Sequence, residues 1–441
     1  MAARDDEGRR GAPVPSGRLA RLGRMARLAG GIAGGVLAEG GRQLVRGNLP
    51  RARDLVLTPA NARRLAGQLA TLRGAAMKLG QLLSMDSGDL LPPELAAILA
   101  RLRADAEAMP RAQLEAVLHE AWGKDWQRLF ADFGWQPIAA ASIGQVHRAT
   151  TLDGRQLALK IQYPGVARSI DSDVDNVAAL LRLTRLLPAG IDVGPLLTEA
   201  KRQLRAEADY LREAEHLQRF GALLADDPGF VMPEVDTALT RRRVLAMSFL
   251  PGRPLEDMDV AAQTVRDRIA ELLFRLLFRE IFEFRLVQTD PNFANYRYQE
   301  AARRIALLDF GATRRYSLRI VAGYRTLFRG ALESDRARLL AGAHAIGYFP
   351  RDLDPRYREA LLDLFELASE PLLAGSRYDF AGSDLPARLR DAALALGFEG
   401  GYRHNPPADA VFLHRKLGGM YLLAARLGAR VDLARLVEPH L

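Results

Sequence analysis

The alternation of hydrophobic and polar positions changes texture twice along the chain. Between residues 19 and 29, Arg21, Arg24 and Arg27 recur every third position. Leu22, Met25, Ala26 and Leu28 fall between them, a spacing that suits a basic amphipathic helix. Residues 60–84, 94–107 and 111–121 carry helical periodicity, and Pro92, Pro93 and Pro110 punctuate them. From about residue 136 the pattern turns to strand and turn. Residues 144–150 and 156–162 flank Asp153-Gly154, a dipeptide that favours a hairpin. Further on, the pattern predicts a long polar helix over 195–220 and a strand over 243–249 ended by Pro251-Gly252. It then predicts a helix over 261–284 and a short buried strand over 305–309. From 316 the chain reads as helical, with breaks near Pro350, Pro371, Gly382, Pro406 and Pro407.

This order is helices, then a small β-rich segment, then a helical segment holding one short strand that ends on an acid. It predicts an α+β, two-lobed, protein-kinase-like fold with a helical N-terminal extension and a mostly helical C-terminal lobe. It does not suit a regularly alternating doubly wound sheet. The expected divisions are a basic arm over 1–60, the helical extension over 61–125, an N-lobe over 126–252 and a C-lobe over 253–441.

Charge sharpens this picture. Residues 1–64 hold 13 arginines and no lysine against five acids, which is +8 of the chain's net +9. A nucleic-acid-binding surface would spread charge over the folded part, so no nucleic-acid partner is expected. The arm instead suits an anionic lipid surface. No run of about 20 apolar residues exists, so no membrane-spanning helix is predicted. Residues 28–38 are too short and glycine-rich for one, and they make a poor signal-peptide core. The expected location is cytoplasmic, peripheral at the inner membrane of a bacterial-type cell. The absence of cysteine excludes disulfides and thiolate metal sites.

Lysine is rare: of 62 basic residues only Lys78, Lys124, Lys160, Lys201 and Lys416 are lysines. Where lysine survives in so arginine-rich a chain, a compact ammonium is a candidate requirement. Lys160 ends the predicted strand Gln156-Leu157-Ala158-Leu159-Lys160, the place of a phosphate-pairing lysine in kinases. Glu213, on the long polar helix, is a candidate to hold it. Asp290 and Asn295 stand five apart, the D-x-x-x-x-N spacing of a catalytic loop. Asp290 would orient an attacking hydroxyl and Asn295 would ligate magnesium. Asp309-Phe310-Gly311 follows a buried strand, as a DFG metal ligand does. Taken singly, each has a plainer reading: a solubility lysine on an edge strand, an Asp/Asn-rich turn, an Asp-x-Gly strand end. Their order along the chain is what points to Mg-ATP.

Several ordinary kinase parts are missing. Asp290 is preceded by Gln288-Thr289 rather than His-Arg, no APE segment follows Asp309, and no G-x-G-x-x-G precedes Lys160. In place of the glycines stand Ala139, Ala140, Ala141 and Ser142, whose Cβ atoms disfavour positive φ.

With these departures, the chain resembles the UbiB (AarF) family of atypical kinases, associated with coenzyme Q biosynthesis. Ala139 to Ser142 with Ile143-Gly144-Gln145-Val146-His147 look like its alanine-rich loop. Glu207 and Asp209 look like its ExD motif, with Glu213 the lysine-pairing glutamate. Lys78-Leu79-Gly80-Gln81 looks like its KxGQ motif, and residues 404–419 resemble its tail. The resemblance spans roughly residues 65–435. The hinge candidate, Met247, Ser248 and Phe249, departs from it in lacking an acid. The resemblance implies ATP binding, Mg2+ dependence, and ATPase or small-molecule kinase activity at a membrane in support of ubiquinone biosynthesis. Quinone-biosynthesis proteins or prenyl-quinone-like lipids would be partners. The alternative is a nucleotide-gated scaffold that organises partner proteins without phosphoryl transfer. Lys78 and Gln81, at i and i+3, share a helical face, and Lys78 is expected to pair with Glu207 and Asp209 and so cover the cleft.

Overall fold

A computed structural model describes residues 72, 74–76, 78, 108–183, 194–349, 353–396 and 407–441. The basic arm, Gln81, and the predicted helices over 19–29 and 94–107 lie outside the described residues. By its internal contacts the chain forms two compact units. One runs to Ala214 and takes in Val235–Phe249; the other holds Glu215–Glu234 and Leu250–Leu441.

The first unit is built on a five-stranded antiparallel sheet. Strands β1 (Phe130–Phe133), β3 (Gly144–Thr151), β4 (Gln156–Gln162) and β6 (Val244–Ser248) pair in that order, and β2 (Ala139–Ala140) adds to β3. The β3–β4 hairpin turns at Asp153-Gly154, where Gly154 sits at φ +85° and Arg155 Nε donates to Asp153 at 2.7 Å. Side chains alternate across β4. Leu157, Leu159 and Ile161 face a core with Leu118, Trp126, Phe130 and Ala246. Ala158, Lys160 and Gln162 point the other way. Helix α1 (Arg111–Trp122) adds Leu114, Val117 and Leu118 to that core at i, i+3 and i+4 spacing.

Helix α2 (Val166–Leu183) follows β4, an element that the sequence pattern did not predict. The helix predicted over 195–220 is two helices, α3 (Gly194–Glu207) and α4 (Tyr210–Leu223). The break has a local cause. Asp209 Oδ1 accepts the Arg212 amide at 3.1 Å, and Gln162 Nε2 takes the Ala208 carbonyl at 2.7 Å. Aspartate favours such a helix N-cap over a helix interior.

The second unit is mostly helical. Its central helix α5 (Gln263–Arg279) buries Ile269, Ala270, Leu272, Leu273, Phe274, Leu276, Leu277 and Phe278, an apolar face too wide for a surface helix. The helix predicted to 284 stops at Arg279. A π-helical turn, Glu280–Phe284, follows and ends on Arg285 at φ 52°. That turn carries Glu280 inside. Strands β5 (Phe230–Val231), β7 (Arg253–Pro254), β9 (Tyr296–Gln299) and β10 (Arg304–Leu307) form one small sheet; β8 (Leu286–Gln288) pairs with β11 (Thr313–Arg315). The strand predicted over 305–309 therefore stops two residues before Asp309. Beyond it lie α6 (Leu318–Leu332), α7 (Arg336–Ile346), α8 (Pro355–Ala368), α9 (Glu370–Leu373), α10 (Leu385–Leu394), α11 (Ala408–Arg426) and α12 (Leu433–Val437). This region is not wholly helical as predicted: Tyr378–Asp379 (β12) pairs with Arg430–Val431 (β13).

Candidate functional site

In the first unit the register of β4 puts Lys160 between Val146 of β3 and Leu245 of β6. Its Nζ donates to both carboxylate oxygens of Glu213, at 2.8 and 3.0 Å, and lies 5.4 Å above the Tyr210 ring. Lys160 is 8% exposed and Glu213 1%. Glu213 reaches it from the first turn of α4, one turn past the Asp209 cap, so the break in the predicted long helix sets where that carboxylate falls.

A second ion pair lies in the same unit. Buried Lys78 pairs with Glu207 Oε1, while Glu207 Oε2 accepts the Ser142 hydroxyl at 2.7 Å. Glu207 thus bridges the helical turn around Lys78 to the alanine-rich segment. Gly74 lies on that turn, and a Cβ on it would sit 3.0 Å from the Ser142 carbonyl oxygen. Of the two carboxylates expected to meet Lys78, Glu207 does; Asp209 Oδ1 serves as the α4 cap. Ala139 and Ala140 form strand β2, Ala141 N–H donates to Gly144 O at 2.9 Å, and none of residues 139–142 has positive φ. Among the hinge candidates, Met247 pairs with Ala158, Ser248 closes β6, and Phe249 N–H donates to Gln156 O at 2.8 Å.

In the second unit two strand pairings bring two loops side by side. Residues 289–295 lie between β8 and β9; residues 308–312 lie between β10 and β11. Gln288 is opposite Thr313 and Tyr296 is opposite Leu307, so both ends of one loop are tied to both ends of the other. Leu308 N–H donates to Asn295 O at 2.9 Å and Thr289 N–H to Ala312 O at 3.1 Å. Asn295 Nδ2 donates to Asp290 O at 3.0 Å, which leaves its oxygen end to ligate a cation. Asp309 Oδ1 accepts Gly311 N–H at 3.0 Å, and Phe310 packs on Phe220 at 4.4 Å between ring centres.

The donor set fits magnesium. Among the described residues no group of three or more His, Asp or Glu side chains forms a metal cage. One carboxylate with one amide oxygen is the sparse oxygen set that Mg2+ completes with substrate phosphates and water.

The loops rest on residues that the sequence reading passed over. Arg415, on α11, donates to Asp290 Oδ1 at 2.7 Å. Next to it Lys416 is 2% exposed, 3.4 Å from Glu280 Oε2, and donates to Gln288 Oε1 and Tyr296 Oη, each at 3.3 Å. Burial pushes the Glu280 carboxyl up, with Lys416 acting against it. Burial also opposes the Lys416 charge, but Glu280 and Tyr296 outweigh that and hold its ammonium above its ordinary range. Helix α11 comes close enough for this at Gly419, where a Cβ would lie 2.1 Å from Pro291 Cγ. A signal for Lys416 existed: it is one of only five lysines.

The fold and the paired loops define a kinase-like protein. Residues 101–342 match the ABC1 atypical kinase-like domain, and the chain belongs to that family. It is 40% identical over 428 residues to the atypical kinase COQ8B, mitochondrial, of Rattus norvegicus, covering 95% of this chain and 79% of the rat protein. It is 36% identical to the atypical kinase COQ8, mitochondrial, of Saccharomyces cerevisiae, covering 96% of this chain and 85% of that one. Among solved structures, Rv3197 of Mycobacterium tuberculosis, determined as a complex with erythromycin, superposes with a TM-score of 0.59 at 25% identity. That match covers 87% of this chain and 96% of the other.

Proposed function

We propose that the protein binds Mg-ATP and transfers or hydrolyses its γ-phosphoryl group, acting on a small molecule or lipid rather than a protein. The observation that carries this reading is the strand-imposed adjacency of the 289–295 and 308–312 loops, which groups Asp290, Asn295 and Asp309. Lys160, held by Glu213, would face the α/β phosphates. The segment Ala139, Ala140, Ala141 and Ser142 would lie along the nucleotide, and Met247, Ser248 and Phe249 would line the adenine. Asn295 and Asp309 would hold the magnesium, which supplies charge neutralisation on the phosphates. Asp290 would orient the acceptor hydroxyl or water and take its proton as the bond to phosphorus forms. Lys78, Gln81, Glu207 and Asp209 would have a regulatory role, restricting which acceptors react.

The names of the relatives, COQ8 and COQ8B, support a role in coenzyme Q biosynthesis, with prenyl-quinone-like lipids or quinone-biosynthesis proteins as partners. Among the described residues no helix is long and apolar enough to cross a membrane. We assign membrane attachment to the basic arm, each near-surface arginine contributing about 1 kcal/mol toward anionic lipid. Flotation with anionic vesicles should therefore weaken when residues 1–50 are deleted; unchanged flotation removes the arm from the account.

The decisive test pairs two variants. Asp309→Asn should lose the magnesium-dependent part of the thermal shift given by ATP, because an amide is a poor substitute for a carboxylate ligand. Asp290→Asn should keep that shift and lose most turnover. If Asp309→Asn responds to Mg-ATP as wild type does, the metal assignment is wrong. If Asp309→Asn loses the magnesium-dependent shift but wild type itself turns over no ATP, with or without anionic liposomes and prenyl-quinone-like phenols, the protein is a nucleotide-gated scaffold.

A further inference from the structure

In a kinase whose catalytic aspartate follows His-Arg, the residues just before it anchor the loop. Here Gln288-Thr289 stand there, so a glutamine side chain has to do the anchoring. The hydrogen bonds show the route. Gln288 grips the Asp290 peptide from both ends: its Oε1 accepts Asp290 N–H at 3.2 Å, and its Nε2 donates to Asp290 O at 3.0 Å. A side-chain amide can do this only if its own orientation is fixed. Lys416 Nζ fixes it by donating to the same Oε1 at 3.3 Å. An ammonium cannot face an amide NH2, so the amide cannot flip.

Lys416 is in turn fixed. An ammonium offers three donors, and here three oxygens surround it: Gln288 Oε1, Tyr296 Oη and Glu280 Oε2. Glu280 Oε2 meets the lysine charge as an ion pair at 3.4 Å, while Glu280 Oε1 accepts Gln288 N–H at 3.2 Å. Gln288 and Tyr296 bracket the 289–295 loop, so one buried ammonium ties together its entry and its exit. A compact ammonium can meet three oxygens from three directions, which a planar guanidinium cannot do in the same way. The neighbouring Arg415 adds a contact to the Asp290 carboxylate itself.

We infer that Lys416, on the C-terminal helix α11, is a positioning residue of the phosphoryl-transfer loop, acting through Gln288 on the backbone of Asp290. This rests on the assignment of Asp290 proposed above. Lys416 touches no reacting atom. It holds the loop in the conformation that lets Asp290 and Asn295 act, and so makes the far C-terminal segment part of the active machinery.

The test uses the full chain. Lys416→Met alone strands a buried carboxylate, so it is paired with Glu280→Gln, which removes both charges. The double variant should fold and keep its Mg-ATP affinity. Its kcat should fall about 10- to 100-fold, the cost of a misplaced group. Its amides over 288–295 should exchange with deuterium at least about tenfold faster than in wild type, while those of α5 stay protected. Wild-type kcat together with unchanged exchange would overturn the inference and leave the pair a packing device. If the double variant does not fold, Gln288→Met, which disturbs no charge, decides: full turnover and unchanged loop exchange overturn it. The exchange readout separates this inference from the assignment of Asp290. Faster exchange over 288–295 with Asp290→Asn still active would sink that assignment and leave the positioning intact.

Discussion

Each unit buries a lysine against a glutamate, and the two pairs are built differently. In the first, Lys160 is 8% exposed and grips both oxygens of one carboxylate, at 2.8 and 3.0 Å. In the second, Lys416 is 2% exposed and divides itself among three oxygens at 3.3 to 3.4 Å. The first geometry orients an ammonium on a single carboxylate. The second encloses an ammonium entirely in protein and uses it to join segments 128 residues apart. A buried ion pair is weak evidence for stability, because desolvation offsets attraction. What it does well is specify an arrangement, and the two pairs specify different ones: a charge at the nucleotide's expected place, and a loop's shape.

Neutralising each lysine separates these roles most sharply. Lys416→Met leaves Glu280 buried and unpaired, and should cost about 3–5 kcal/mol. Glu213 is as buried as Glu280, but Lys160 is the more exposed of the two lysines, so water can enter in place of its ammonium. Lys160→Met should therefore cost less, about 1–3 kcal/mol, while removing most of the ATP-induced thermal shift. Thermal melts with and without Mg-ATP read both quantities. Equal destabilisation, with the nucleotide response lost in both, would erase the distinction.

Gly419→Ala probes the second pair without touching its charges. The new Cβ would fall 2.1 Å from Pro291 Cγ, so helix or loop must move. Overpacking of this kind costs about 1–3 kcal/mol. The displaced segment carries Asp290, so turnover should fall while Mg-ATP affinity holds. A wild-type kcat would show that the loop tolerates movement against α11.

How much of this was legible in the chain follows from the range of the interactions. The β3–β4 hairpin, with Lys160 at its strand end, follows from alternation and one Asp-Gly turn, both local signals. Asp290, Asn295 and Asp309 stood out because loop chemistry is written in short spacings. The α3–α4 break was hidden because a polar helical period runs through 195–220, and only the tertiary bond from Gln162 to Ala208 and the Asp209 cap interrupt it. The π turn at Glu280–Phe284 reads as ordinary helix, since its residues keep the apolar pattern of α5. Lys416 with Gln288, and Arg415 with Asp290, join residues 128 and 125 positions apart, which no local period encodes. Composition gave the one available hint. Lys78, Lys160 and Lys416 are buried with carboxylates, whereas Lys124 is exposed and Lys201 makes a partly exposed pair with Asp175.

The Lys78 pair gives a smaller effect within the first unit. A double-mutant cycle of Lys78→Ala and Glu207→Ala should show coupling of about 0.5–3 kcal/mol. The same cycle with Asp209→Ala should come out additive, Asp209→Ala alone costing about 1 kcal/mol as a lost helix cap. Coupling of Lys78 to Asp209 as strong as to Glu207 would contradict the division of labour between the two carboxylates.

The smallest expected effect is a pH dependence confined to the first unit, and it arises from His147. Met109 N–H donates to Gln145 Oε1 at 2.8 Å, which turns the Gln145 nitrogen toward His147 Nε2 at 2.7 Å. His147 Nε2 must then accept, so the proton is on Nδ1 and is donated to Gly134 O at 2.7 Å. Burial lowers the His147 pKa, with the Gly134 carbonyl acting against it. Protonation would set two N–H groups head to head in a closed site. The sign follows. Below about pH 6.5 an unfolded chain protonates this histidine and the folded one resists. Its stabilisation is therefore complete above pH 6.5 and declines as pH falls toward the lowered folded value, by at most about 1.4 kcal/mol per pH unit. Trp126 lies in the core beside it and the other two tryptophans, Trp122 and Trp135, pack against that core half-buried: Trp126 and Trp135 contact Phe133, which stacks on His147. Tryptophan fluorescence in urea titrations at pH 7.5, 6.5 and 5.5, pH values spaced about one unit to bracket that window, thus reports on this core. Wild type should lose more stability across the series than His147→Gln, in which no imidazole titrates. Parallel losses in the two proteins would mean that the imidazole takes up its proton as readily folded as unfolded, against the hydrogen bonds that surround it.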